Sequence, residues 1–204
     1  MIRPNVRASF GRREAEILVS LAGAGGEERL RERGIDALLE REIHDRQLAD
    51  YTAGVLLEFG RIGRGSPGES AMLPQTLYLA DILQELERAR GEREFLLRAH
   101  LGNLALWLGG IFPDYIAERV QRRGAPPLSY YDELGATGFR SAAHMDLAMR
   151  HGVGDLFLQF ADQFTSVRSA LNGLSDMLFF PNPGNPVERV LREVSDRFHR
   201  QLGG

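Results

Sequence analysis

Seven apolar residues between positions 157 and 178 recur at spacings of 3, 4, 3, 4, 3 and 4 residues. This spacing places them on one side of an α-helix and sustains an a/d pattern for three heptads. The other side of that helix carries small polar residues, which leave room for a closely packed neighbour. The pattern predicts a central apolar helix over about residues 155–180. The apolar seam comprises Phe157, Phe160, Phe164, Val167, Leu171, Leu174 and Leu178.

Such a seam has two interpretations. It forms either the core of a monomer or the contact between two copies in a homodimer. The rest of the chain also has helical periodicity, and no segment alternates with period two over a useful length. The 204 residues suit one compact domain. We therefore predict an all-α, single-domain bundle of about eight helices, spanning residues 1–204.

Local signals predict where several helices begin and end. Terminal helices are expected at Arg13–Ala22 and Val187–Leu202, a flexible basic arm at 1–12, and a mobile loop at 61–74. The predicted start signals are Asp36 after a break at Gly34, a capping box of Ser129 with Asp132, Thr137 before a helix Gly138–His151, and Asp155.

Composition excludes several chemistries. The chain has no cysteine, and all 25 basic residues are arginine. Thiolate, disulfide, iron–sulfur, Schiff-base and Walker-lysine chemistry are therefore ruled out. The net charge of −3 lacks the basic excess typical of nucleic-acid-binding proteins, although such binding stays possible. The five histidines form neither H-E-x-x-H nor paired Glu-x-x-His motifs, so we predict no metal site and no cofactor.

No segment has the pattern of a secretion signal or of a membrane span. The first ten residues contain arginine and proline where a signal needs an apolar run. The two most apolar stretches, Phe95–Phe112 and Leu156–Phe180, are interrupted by charged residues. We expect a cytoplasmic protein of bacterial type with no membrane partner.

One polar stripe suggests catalysis. Arg93, His100 and Asn103 share a helix face that also bears Trp107. These polar groups either form a structural network with neighbouring helices or support metal-free RNA cleavage, with His100 as acid or base and Arg93 stabilising charge. The Arg93–His100 spacing resembles the Arg-x4–6-His element of HEPN-type helical ribonucleases over eight residues. Arg192 and His199 show the same spacing.

Two further features favour binding a partner. Aromatic residues gather between Trp107 and Phe139 among glycines and prolines, where they line an interface or a pocket, or close the core. The N-terminal arm carries four arginines and no acid, which suits phosphate or an acidic protein face. The candidate surface residues are Trp107, Phe112, Tyr115, Tyr130 and Tyr131, and the candidate arm residues are Arg3, Arg7, Arg12 and Arg13.

The sequence contains no complete catalytic constellation. We therefore expect a non-enzymatic interaction or regulatory protein that acts through a protein partner or as a homodimer. Two alternatives stay open. One is the ribonuclease just described, and the other is a helical bundle that binds a small apolar or aromatic ligand near Trp107 and His100.

Overall fold

The computed structural model describes residues 26–62 and 79–179, and within these ranges the chain forms helices and no strand. The all-α, single-domain bundle predicted from the periodicity is confirmed. The helices of the described ranges are α1 (Gly26–Leu39), α2 (Arg46–Ile62), α3 (Leu79–Leu86), α4 (Gly91–Ile111), α5 (Pro113–Arg123), α6 (Leu128–Ala143), α7 (Asp146–Arg150) and α8 (Gly154–Phe179).

Some predicted elements lie outside the described residues. These are the terminal helices Arg13–Ala22 and Val187–Leu202, the arm 1–12 with its four arginines, and most of the loop 61–74. The first two residues of that predicted loop, Arg61 and Ile62, are instead the last turn of α2.

The core lies where α4, α6 and α8 pack against one another. Six of the seven residues of the apolar seam are buried there, and Leu178 lies beyond the described side chains. Phe139 of α6 contacts the rings of Phe157, Phe160 and Phe164. The seam is thus covered by the chain's own helices, as the monomer-core interpretation predicts. Because α4 touches six other helices, the centre of the bundle is shared between α4 and α8.

Glycines of α6 allow its close approach to α4 and α8. A Cβ on Gly138 would lie 2.8 Å from the carbonyl oxygen of Arg98 and 3.0 Å from the amide nitrogen of Gly102. A Cβ on Gly135 would overlap the ring of Phe164. Since backbone atoms cannot move aside as a flexible side chain can, the α4–α6 contact requires glycine at position 138.

The predicted break at Gly34 is wrong. Gly34 and Asp36 both lie inside α1, and the chain turns between α1 and α2 instead. Gly34 serves packing, because a Cβ there would come within 2.9 Å of the Leu56 side chain. Asp45 provides the start signal for α2, where its Oδ1 accepts a 3.0 Å hydrogen bond from the Leu48 N–H.

The start signals predicted around α6 and α8 are also wrong. Helix α6 runs unbroken past Thr137, and no side chain caps its first turn after Pro127. Asp132 does not complete a capping box with Ser129 but pairs with Arg168 on α8. Asp155 lies within the first turn of α8 and not before it. For Asp132, a tertiary contact and not the local capping pattern determines the role of the side chain.

Helices α4 and α5 meet at an angle of 91° around Phe112. The last carbonyls of α4 lack partners within the helix, and α8 supplies them. Asn172 Nδ2 donates to the carbonyl oxygens of Gly109 and Gly110, at 2.8 Å each, and Ser175 Oγ donates to that of Ile111 at 2.7 Å. These bonds fix the direction in which α5 leaves the bundle.

Within the described ranges, no single helix is long and apolar enough to cross a membrane. Helices α4 and α5 meet the length and composition criteria only when taken together, and the 91° bend separates them.

Candidate functional site

The structure places Arg93 and His100 in different surroundings on α4. Arg93 is exposed and pairs with Glu85 of α3, with Nε 2.7 Å from Oε1. The His100 side chain is only 3% exposed, and its ring stacks against Phe59 of α2 with centroids 5.8 Å apart. Seven residues of helix separate the two by about 10 Å along the axis. They do not face a common solvent-accessible cleft.

Asn103 forms a hydrogen bond with a neighbouring helix. Its Oδ1 accepts a 3.0 Å hydrogen bond from the hydroxyl of Tyr51 on α2. The Tyr51 ring packs among three phenylalanine rings of α6 and α8. Burial raises the pKa of the Tyr51 phenol to about 12, and the hydrogen bond to Asn103 partly opposes that rise. Asn103 thus takes part in a partly buried polar contact between α2 and α4, which agrees with the structural interpretation of the polar stripe.

Trp107 and Phe112 are buried and do not form a surface. The Trp107 ring stacks with Phe59 at 5.7 Å and meets Phe112 edge-on. Phe59 therefore lies against both Trp107 and His100. The ligand-binding alternative places a small apolar or aromatic ligand in this same region.

The three tyrosine candidates gather where α5 meets the first turn of α6. Tyr130 is 36% exposed, whereas the adjacent Tyr131 turns inward and is buried. Their rings are perpendicular, with centroids 6.0 Å apart. Tyr115 of α5 is half-buried beside them and interacts electrostatically with Tyr131. We call Tyr115, Tyr130 and Tyr131, together with Arg119, the tyrosine corner.

Arg119 is the member of this corner that sequence reasoning missed. It follows Tyr115 by four residues on α5, a spacing that brings side chains together, and its guanidinium lies 5.6 Å from the Tyr115 ring centroid. Its Nε is out of contact with water and has no hydrogen-bond partner. Among the described side chains, no carboxylate forms an ion pair with it. The Arg119 charge lowers the pKa of Tyr131, although burial, the larger effect, raises it.

A second arginine, Arg168 of α8, lies on the inner side of α6. Its Nε donates to Asp132 Oδ1 at 2.6 Å, and its Nη1 donates to Asn172 Oδ1 at the same distance. Both partners of the ion pair are largely buried. Burial raises the pKa of the Asp132 carboxyl, and the neighbouring Arg168 charge opposes that rise.

In the parts of the chain that the structure describes, no group of three or more His, Asp or Glu side chains could hold a metal ion. Comparison of the chain with protein-family models, with curated proteins and with solved structures finds no match.

Proposed function

We propose that this protein is a non-enzymatic interaction module that binds a protein partner at the tyrosine corner. One observation carries the proposal. Two aromatic candidates reach solvent, Tyr115 against the guanidinium of Arg119 and Tyr130 beside Tyr131, and no described carboxylate pairs with that arginine. Tyrosine and arginine are the residue types that most often contribute the binding energy of protein interfaces.

The corner is also presented in a way that suits binding. Among the described helices, α5 packs against α4 and α6. Its end is fixed by Gly124 in the left-handed conformation, with φ of 60°, and by the prolines that follow at positions 126 and 127. A surface held in one shape loses little conformational entropy on binding.

The catalytic alternative is less well supported. RNA cleavage through His100 requires the imidazole to reach a substrate, and its burial beneath Phe59 argues against this. The pairing of Arg93 with Glu85 likewise directs that guanidinium to α3.

Site-specific photo-cross-linking tests the proposal. A photoreactive phenylalanine analogue replaces Tyr130 in the full chain, which is expressed in cells that naturally make it. The matched control carries the analogue at Met149, which is 70% exposed on α7. This control lies beyond the opposite end of α6, which is about 20 Å from Tyr130 along that helix.

We expect position 130 to cross-link one protein that mass spectrometry identifies by its linked peptide. With that partner purified, Tyr130→Ser should weaken binding about tenfold, as for a central aromatic contact. A cross-link to a second copy of this chain would assign the homodimer. Equal, unspecific products at positions 130 and 149 would refute an interface at the corner.

A further inference from the structure

Arg119 is in an unusual state for a partly buried arginine. Its Nε–H is shielded from water without an acceptor, and no described carboxylate balances its charge. Burying a donor without an acceptor destabilises that conformation of the side chain. By contrast, Arg98, also half-buried, has its Nε 2.9 Å and its Nη2 2.7 Å from Glu94 Oε1.

The surroundings of Arg119 favour a planar anion. The ring of Tyr115 lies against the guanidinium, which leaves the edge of the guanidinium to donate hydrogen bonds. The phenol of Tyr131 interacts electrostatically with Arg119, and the exposed phenol of Tyr130 lies beside Tyr131. The exposed Arg123, in the last turn of α5, adds long-range attraction for negative charge.

We infer that the tyrosine corner binds a carboxylate, supplied by an acidic segment of the partner protein, and that Arg119 is its receptor. This inference rests on the proposed function. A carboxylate carries a single charge in a planar fork, which matches one guanidinium. When it draws the side chain outward, the Nε–H and one Nη–H donate to its two oxygens, so the buried donor gains an acceptor.

Nuclear magnetic resonance of the arginine Nε–H groups in the full-length protein tests this inference. The probe is a capped tripeptide of three glutamates, and the matched control is the tripeptide of three glutamines. Arg119→Lys assigns the Arg119 signal by its loss, because lysine has no Nε–H group. Arg150, exposed on α7, provides an internal control signal.

We expect the glutamate peptide to shift the Arg119 signal at peptide concentrations that leave the Arg150 signal in place. The glutamine peptide should shift neither signal. Arg119→Gln should weaken glutamate-peptide binding about tenfold, because this interaction joins two charged groups. Arg150→Gln removes the same formal charge and should change binding less than twofold.

The outcomes separate this inference from the proposed function. If Tyr130 cross-links a partner but the Arg119 signal does not move when that partner binds, carboxylate recognition is refuted and the interface stands. If the glutamate peptide shifts Arg119 while position 130 cross-links no protein, the carboxylate site stands and the proposed function fails. Equal shifts with both peptides would refute recognition of charge.

Discussion

The first turns of α6 lie next to two arginines with opposite surroundings. On the inner side, Asp132 pairs with Arg168, whose guanidinium also donates to Asn172 of α8. Tyr131, the residue before Asp132, lies close to Arg119, which has no described carboxylate partner and an Nε without an acceptor. Tyr131 and Asp132, whose neighbouring arginines differ in this way, are adjacent in the chain.

This difference separates a structural charge from one available for binding. A buried charge is tolerated in a fold when its partner is supplied by the same chain, and removing that partner is costly. Arg168 meets this condition. Arg119 does not, because no described carboxylate pairs with it, and our proposal assigns its charge to binding a partner. The following predictions test that contrast.

The largest effect is expected inside the bundle. Leu171→Asp places a charge in the apolar seam, against Gly110 of α4. We expect the free energy of unfolding to fall by more than about 4 kcal/mol, because the carboxylate would have no partner there. Urea unfolding followed by circular dichroism measures this. Ser166→Asp, on the exposed side of the same helix, should change stability by less than about 0.5 kcal/mol. A folded, soluble Leu171→Asp monomer would restore the interpretation of the seam as a subunit contact.

The next effect concerns the paired arginine. Asp132→Ala leaves Arg168 buried without its counter-ion, so we expect a loss of about 3 kcal/mol in the free energy of unfolding. The matched control is Asp162→Ala, which breaks the exposed ion pair between Asp162 and Arg140. That variant should lose less than about 1 kcal/mol in the same urea titration. Equal losses in both variants would contradict a special structural role for the buried pair of Asp132 and Arg168.

The pH dependence of stability at alkaline pH provides a third test, through the phenol of Tyr51. The pKa of Tyr51 is about 12 in the folded protein, above the ordinary value of 10.0. Its contribution to stability is therefore complete below pH 10 and is lost as pH rises to 12, because the unfolded chain releases this proton first. We expect the Tyr51 contribution to decline by up to about 1.4 kcal/mol per pH unit in that range. Tyr51→Phe should flatten the pH dependence of the urea midpoint. An unchanged slope would show that Tyr51 is not the group responsible.

The smallest effect on stability is expected at the outer arginine. Arg119→Gln should change the free energy of unfolding by no more than about 0.5 kcal/mol, because no described ion pair is broken. Urea unfolding measures this beside Asp132→Ala. A loss as large as that of Asp132→Ala would show that Arg119 has a structural role after all.

Periodicity was sufficient to predict most of the helices. The bounds of α8, Gly154–Phe179, lie within one residue of the predicted range 155–180. Proline at the first position of α5 and glycine directly after its last turn are signals that act locally. An apolar seam of three heptads likewise requires burial on one side, whatever the neighbouring helices are.

What the sequence could not predict depends on contacts between distant residues. Gly138 and Thr137 resemble a helix start, yet Gly138 is needed because the backbone of α4 lies against it. Asp132 has the spacing of a capping residue, but Arg168, 36 residues away, is its partner. Trp107 and Tyr130 belong to one aromatic-rich segment, and only the packing of Phe59 shows which of them is inside.

Part of the candidate site could be predicted from the sequence, and the part that depends on contacts between distant residues could not. Tyr115 and Tyr130 follow from composition, and the spacing of Tyr115 and Arg119 is visible in the sequence. The absence of a described carboxylate beside Arg119 is a property of three-dimensional packing, which the spacing alone does not contain.

The anchoring of α4 by Asn172 and Ser175 has a mechanical consequence. The direction of α5 is set by hydrogen bonds from a helix more than 60 residues away in the chain. A force applied to α5 is therefore resisted by α8 as well, through the hydrogen bonds that hold the end of α4, and not by the short connection at Phe112 alone. The base of the helix that carries Tyr115 and Arg119 is thus braced by side chains from the core of the bundle.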